Sequence, residues 1–140
     1  MQNCIFCQIV AGKSPAYKIY EDEHHLAFLD IYPFGWGHTQ LIPKKHYRRI
    51  WDIKDLGAFM HTAKKLVHQF NRQPGVTSVF ALVIGEWIPH AHLQLLPRTD
   101  ANHQIIGQAV SSIRQPQLDP KEAQAMQQLL QVKYTRRTQA

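Results

Sequence analysis

Pro89-His90-Ala91-His92-Leu93-Gln94-Leu95-Leu96 is the stretch whose reading decides the fold of this chain. Side chains alternate between the two faces of a strand, so a strand over 91–96 sets His90, His92 and Gln94 on one face and Ala91, Leu93 and Leu95 on the other. The second set is apolar and belongs in a core. The first is polar, and burying such groups without partners costs on the order of 1–3 kcal/mol each. That face is expected to open on a cleft or to be fully hydrogen-bonded. One histidine there would be an ordinary core residue; two at i, i+2 followed by an amide point to a functional site.

Upstream, Val76 to Ile84 is a β-branched, apolar run that predicts a strand buried on both faces. Before it, Leu56, Phe59, Met60, Ala63, Leu66, Val67 and Phe70 recur at helical spacing between Asp52 and Arg72, with Asp52 as the cap and Pro74-Gly75 as the stop. Thr39 to Ile42 reads as a strand ended by Pro43. Tyr17–Glu21 and Leu26–Asp30 read as an antiparallel hairpin around the polar turn Asp22 to His25. Cys4 to Ala11 reads as a short helix ended by Gly12. Downstream, Asp119-Pro120-Lys121-Glu122 has the order of a helix start, continued by Met126, Leu129, Leu130 and Lys133. Most links between strands are too short for parallel crossovers, which predicts an α+β domain on an antiparallel sheet with one long helix and a short N-terminal one. The core is expected over residues 1–100. Residues 101–140 are expected to form an extension packed on the same domain, disordered at its end.

With 140 residues, 44% of them hydrophobic, the chain suffices for one core and is too short for two ordinary ones. No apolar run approaches the roughly 20 residues that span a bilayer, and the N-terminus lacks the order of a secretory signal, so a cytoplasmic protein is expected. The net charge of +6 favours an anionic ligand. The basic residues fall in short groups, Lys44-Lys45, Arg48-Arg49, Lys64-Lys65 and Arg136-Arg137, without a basic stripe interleaved with aromatics, and nucleic acid is not the expected partner. Two cysteines, Cys4 and Cys7, are too few for a disulfide framework; redox and metal chemistry both remain open for the pair. His24, His25, His61, His68 and His103 show no such pattern and read as surface or incidental residues.

These stretches together resemble the histidine-triad proteins, nucleotide hydrolases and transferases whose hallmark is His-φ-His-φ-His-φ-φ, φ being apolar. The resemblance runs through Cys4–Gly12, Tyr20–Asp22, Ala27–Ile31, Gly37–Thr39, Ile42–His46 and Ile88–Arg98. It implies that His92 attacks a nucleotide α-phosphate and forms a covalent nucleotidyl-histidine, resolved by water or another acceptor. The carbonyl of His90 would hold the other ring N–H of His92, and His38 would support the site from behind. Asp30 would accept hydrogen bonds from the ribose hydroxyls, with Phe6, Ile9, Phe28 and Ile31 walling the base.

The chain departs from the hallmark at Gln94, where the third histidine is expected. An amide can donate to a phosphoryl oxygen but cannot release a proton to a leaving group. Glutamine there is similar to the transferase and phosphorylase branches of the family, whose leaving or entering group is a phosphate. A second departure is the short loop Gly85-Glu86-Trp87-Ile88, where Trp87 replaces a small hydroxyl residue and either stacks on a base or packs. Cys4, Cys7, His46 and His90 match a four-ligand structural zinc site of one branch. The resemblance further implies a homodimer and nucleotide substrates, dinucleoside polyphosphates among them. A catalytically weak nucleotide-binding or sensing module is the alternative.

Overall fold

In the computed structural model, residues 3–100 and 117–131 are described. The chain divides into two compact units, one ending at Ile106 and the other beginning at Gly107. The first is an α+β unit on a five-stranded antiparallel sheet. Its elements are α1 (Ile5–Val10), β1 (Lys18–Glu21), β2 (His25–Leu29), β3 (Thr39–Pro43), α2 (Leu56–Phe70), β4 (Val76–Leu82) and β5 (Leu93–Thr99), with the strands in the order β1-β2-β3-β5-β4. The described part of the second unit centres on α3 (Pro120–Leu130), capped by the Asp119 carboxylate on the N–H groups of Lys121 and Glu122. The expected packing of 101–140 and the disorder of its last residues fall mainly on 101–116 and 132–140, outside the described residues, as does His103. No helix among the described residues is long and apolar enough to cross a membrane.

Strand register explains how the sheet serves two purposes. Ala27 pairs with Leu41 and Leu41 with Leu93, giving an apolar row under α2, where Phe59, Ala63, Leu66 and Phe70 close the larger core. The alternate row is Phe28, Gln40 and Gln94, set side by side across β2, β3 and β5. Since alternate residues face opposite ways, this row lies on the other face, where α1 packs Phe6 and Ile9 with Leu26, Phe28 and Ile42. α1 lasts under two turns because Gly12, at φ +71°, takes the left-handed turn that ends it.

Three expectations are corrected. The cap of α2 is Asp55, which accepts from the Ala58 N–H at 2.9 Å; Asp52 is used in a separate 3-10 turn, Ile50–Asp52, that buries Ile50. β4 is an edge strand with no fully buried residue rather than one buried on both faces. The last strand begins at Leu93 rather than Ala91. The His90 N–H turns back to the Ile88 carbonyl at 2.8 Å and the Ala91 N–H goes to the Tyr47 carbonyl at 2.7 Å, so neither is available to a sheet ladder.

His25 is also not a surface residue. It is buried, with its ring edge-on to Phe59 and its Nδ1–H donated to the Thr62 hydroxyl at 2.9 Å. Burial lowers its proton affinity, partly offset by Asp22. Asp22 pins the hairpin turn by accepting from the Tyr20 hydroxyl at 2.6 Å and from the N–H groups of His24 and His25.

Candidate functional site

The turn that delays β5 leaves both histidines on the α1 face, where Phe6 packs edge-on against the rings of His90 at 5.8 Å and His92 at 5.5 Å, while Ala91, Leu93 and Leu95 lie in the core on the other face. The His90 ring is completely buried beside the cysteines of α1, whereas His92 and Gln94 line a cleft of about 620 Å³. The cleft floor is the row Phe28–Gln40–Gln94. Ile5, Phe6 and Ile9 of α1 form one wall, and Asp30, Ile31, Tyr32 and Phe34 of the β2–β3 loop form another. Trp87, largely exposed, and Ile88 stand at the rim. Every residue expected from sequence to meet a nucleotide lies on this cleft: Phe6, Ile9, Phe28, Asp30, Ile31 and Trp87.

His92 donates its Nδ1–H to the His90 carbonyl at 2.7 Å. A carbonyl only accepts, so this bond selects the tautomer whose Nε2 carries a free lone pair. The Phe6 ring, 5.5 Å away at 86°, packs edge-on against the imidazole and limits its rotation. A nitrogen lone pair so held is a nucleophile or a general base toward whatever occupies the cleft.

The orientation of Gln94 follows from a chain of hydrogen bonds. The Phe34 N–H donates to His38 Nδ1 at 3.1 Å, so the ring proton sits on Nε2 and is donated to Gln94 Oε1 at 2.9 Å. With Oε1 occupied, the amide N–H groups of Gln94 are its free donors on the cleft. His38 itself is buried under Phe34, whose ring stacks on it at 5.0 Å, so it acts on the cleft through Gln94. Gly37 lets the chain turn into His38: it has φ +73°, and a Cβ there would come within 3.0 Å of Pro97 Cγ. Asp30 accepts from the Tyr32 N–H and from Gln40 Nε2, both at 2.7 Å.

Beside this site, Cys4 Sγ, Cys7 Sγ, His46 Nδ1 and His90 Nδ1 all lie within 4.8 Å of one another. Cys4 Sγ is 3.4 Å and Cys7 Sγ 3.5 Å from His90 Nδ1, and Cys7 Sγ is 3.2 Å from His46 Nδ1. For a tetrahedral ion with bonds of about 2.3 Å to sulfur and about 2.0–2.1 Å to nitrogen, sulfur and nitrogen ligands stand about 3.5 Å apart. The donor set therefore suits such an ion. His90 donates Nε2–H to the Pro43 carbonyl at 2.8 Å, which leaves Nδ1 as a lone pair facing the thiols, the usual support of a metal-binding imidazole. Burial holds the His90 ring below the ordinary histidine range, and burial together with Cys4 pushes the Cys7 thiol up.

Sequence reasoning missed Gln40, which lies level with Gln94 on the cleft floor and donates to Asp30. Its signal was a polar residue in a strand otherwise apolar from Leu41 to Pro43, but only the register shows which face it takes.

The comparisons agree with this architecture. The HIT domain family matches residues 11–101, and the chain belongs to that family. A HIT-like protein of Methanocaldococcus jannaschii is 38% identical over 109 residues, covering 74% of this chain and 84% of that protein. The adenosine 5′-monophosphoramidase of Saccharomyces cerevisiae is 33% identical over 106 residues, covering 74% of this chain and 67% of the yeast protein. Among solved structures, a HIT family protein from Bacillus anthracis superposes with a TM-score of 0.69 at 27% identity, covering 91% of this chain and 94% of that one.

Proposed function

We propose that this protein is a nucleotide hydrolase or nucleotidyltransferase that acts at an α-phosphate through a covalent nucleotidyl-His92. The observation that carries the reading is the 2.7 Å bond from His92 Nδ1–H to the His90 carbonyl, which leaves a free Nε2 at the cleft. Nε2 attacks phosphorus, and the leaving group departs with the electron pair of the broken P–O or P–N bond. Water or a second acceptor then displaces His92. Gln94, in place of the triad's third histidine and turned by His38, donates an amide N–H to a phosphoryl oxygen as charge develops there. Having no proton to release, it favours leaving groups that depart as stable anions, such as phosphates. Dinucleoside polyphosphates fit that preference, whereas a phosphoramidate, the substrate class in the yeast relative's name, is the demanding case.

Asp30 receives the ribose hydroxyls, the base lies among Phe6, Ile9, Phe28 and Ile31, and Trp87 closes the rim. Cys4, Cys7, His46 and His90 hold a structural zinc ion. With four protein ligands it has no open position for substrate, and its contribution is to fasten α1 to the segment bearing His92. The chain works as a homodimer in the cytoplasm.

Wild-type protein and His92→Ala are each incubated with α-³²P-labelled dinucleoside tetraphosphate, nucleoside phosphoramidate and adenylyl sulfate, with and without added phosphate. The label is then followed onto protein under alkaline quench, because phosphohistidine bonds are acid-labile. Wild type is expected to trap one label per site and to turn over; His92→Ala is expected to do neither while keeping its melting temperature. Turnover without any adduct, or an adduct that survives in His92→Ala, overturns the covalent reading. Tight binding with neither adduct nor turnover makes the protein a nucleotide sensor.

A further inference from the structure

Gln40 lies at the middle of the cleft floor, nine-tenths buried between Phe28 and Gln94. Its Nε2 donates to Asp30 Oδ2 at 2.7 Å. Its Oε1 is the one buried side-chain polar atom without a hydrogen-bond partner among the described residues. The amide cannot relieve this by turning over, because Oε1 would then face a carboxylate oxygen. An unpaired buried acceptor is a standing loss of stability, and an apolar side chain of the same shape would avoid it. What the amide provides in return is at Asp30. The Tyr32 N–H holds Oδ1 at 2.7 Å, the local turn bond an aspartate makes without help from the fold. Among the described residues only Gln40 reaches the other oxygen at hydrogen-bond distance; His38 Nε2 stands 3.8 Å off and is committed to Gln94.

We propose that Gln40 is a positioning residue that sets sugar specificity. By holding Oδ2 while the backbone holds Oδ1, it fixes the plane of the Asp30 carboxylate. The remaining lone pairs then point where two vicinal hydroxyls can donate to them. Ribonucleotides gain from this arrangement and 2′-deoxyribonucleotides do not, so the unpaired Oε1 is the cost of discrimination. The inference rests on the nucleotide reading of the cleft and names the residue that makes its ribose contact selective.

The test is the affinity of the full-length protein for AMP and for 2′-deoxy-AMP by titration calorimetry, which does not depend on turnover. Gln40→Met keeps length and volume and removes both amide functions; Gln40→Leu is the second variant should methionine pack poorly. The AMP preference is expected to fall about ten-fold, through weaker AMP binding alone, the factor expected for losing one charge-assisted hydrogen bond. The melting temperature is expected to hold or rise as the orphan acceptor leaves the core. Asp30→Asn should lose the preference by itself, with Gln40→Met adding little to it, because the two act as one unit. An unchanged preference in folded Gln40→Met, or a lower melting temperature with the preference intact, overturns the proposal and leaves the nucleotide reading standing. Wild type that binds neither nucleotide overturns both.

Discussion

If the Cys4–Cys7–His46–His90 cluster holds the proposed zinc ion, stripping it is expected to unfasten α1 before it disturbs the sheet. The donor atoms are already spaced for a tetrahedral ion, so binding requires little rearrangement of the folded chain, whereas the unfolded chain must close loops of tens of residues to assemble the same set. The stabilisation is then close to RT ln(1 + [L]/Kd), about 4 kcal/mol for free zinc at a thousand times Kd. For a unit of this size each kcal/mol shifts the midpoint by roughly 4–8 °C, so chelation should lower Tm by about 15–30 °C. Elemental analysis of purified protein should find one zinc per chain, and thermal unfolding with and without chelator should show the drop, reversed by added zinc. Cys4→Ala should reproduce the chelated midpoint and lower the rate per folded molecule by much less. Protein free of metal after growth and purification with zinc present, or a midpoint that moves by less than about 2 °C on chelation, refutes this reasoning.

Two further outcomes follow from single side chains. Gln94→His restores a group that can protonate a departing amine, so turnover of a nucleoside phosphoramidate should rise by at least about ten-fold, with dinucleoside polyphosphates little changed; unchanged selectivity, read by phosphorus NMR, removes the role given to Gln94. Asp22 is the pH-sensitive residue of the hairpin. Burial pushes its carboxyl up, but the Tyr20 hydroxyl and the N–H groups of His24 and His25 outweigh this and bring it down to about 2. A folded pKa below the unfolded value of about 3.9 adds stability that is complete above about pH 4 and is lost as pH falls through about 2. Since the side chain is about a third exposed, screening limits the effect to about 1 kcal/mol. Asp22→Asn should therefore cost about that much near neutrality and progressively less as pH falls toward and below about 2, measured by denaturant titration at each pH.

The elements were legible in the sequence where a period ran long enough to be unambiguous. Seven apolar residues at helical spacing left no other reading of α2, and the β1–β2 hairpin was marked by a polar turn. Ends and edges were not legible. Asp52 and Asp55 are both plausible caps, and the choice was made by Ile50, which the core takes and thereby forms a separate turn from Ile50 to Asp52. The run from Val76 is as apolar as a central strand, yet nothing within it records that β4 has a neighbour on one side only. His25 escaped notice because its partners, Thr62 and Phe59, are more than thirty residues away. Gln40 escaped because its meaning depends on being level with Phe28 and Gln94.

His90 shows why two features that read as separate in the sequence belong together. Its ring is spent on the cysteines and the Pro43 carbonyl, and its own carbonyl is spent on His92. Both imidazoles stay on the α1 face, as strand alternation requires, with Ala91, Leu93 and Leu95 in the core on the other. The turn at Ile88–His90 takes the N–H groups of His90 and Ala91 out of the sheet ladder. Whatever stiffens the cysteine–histidine cluster therefore also stiffens the carbonyl that selects the tautomer of His92. Movement of α1 should accordingly reach the nucleophile through one backbone oxygen and the Phe6 ring.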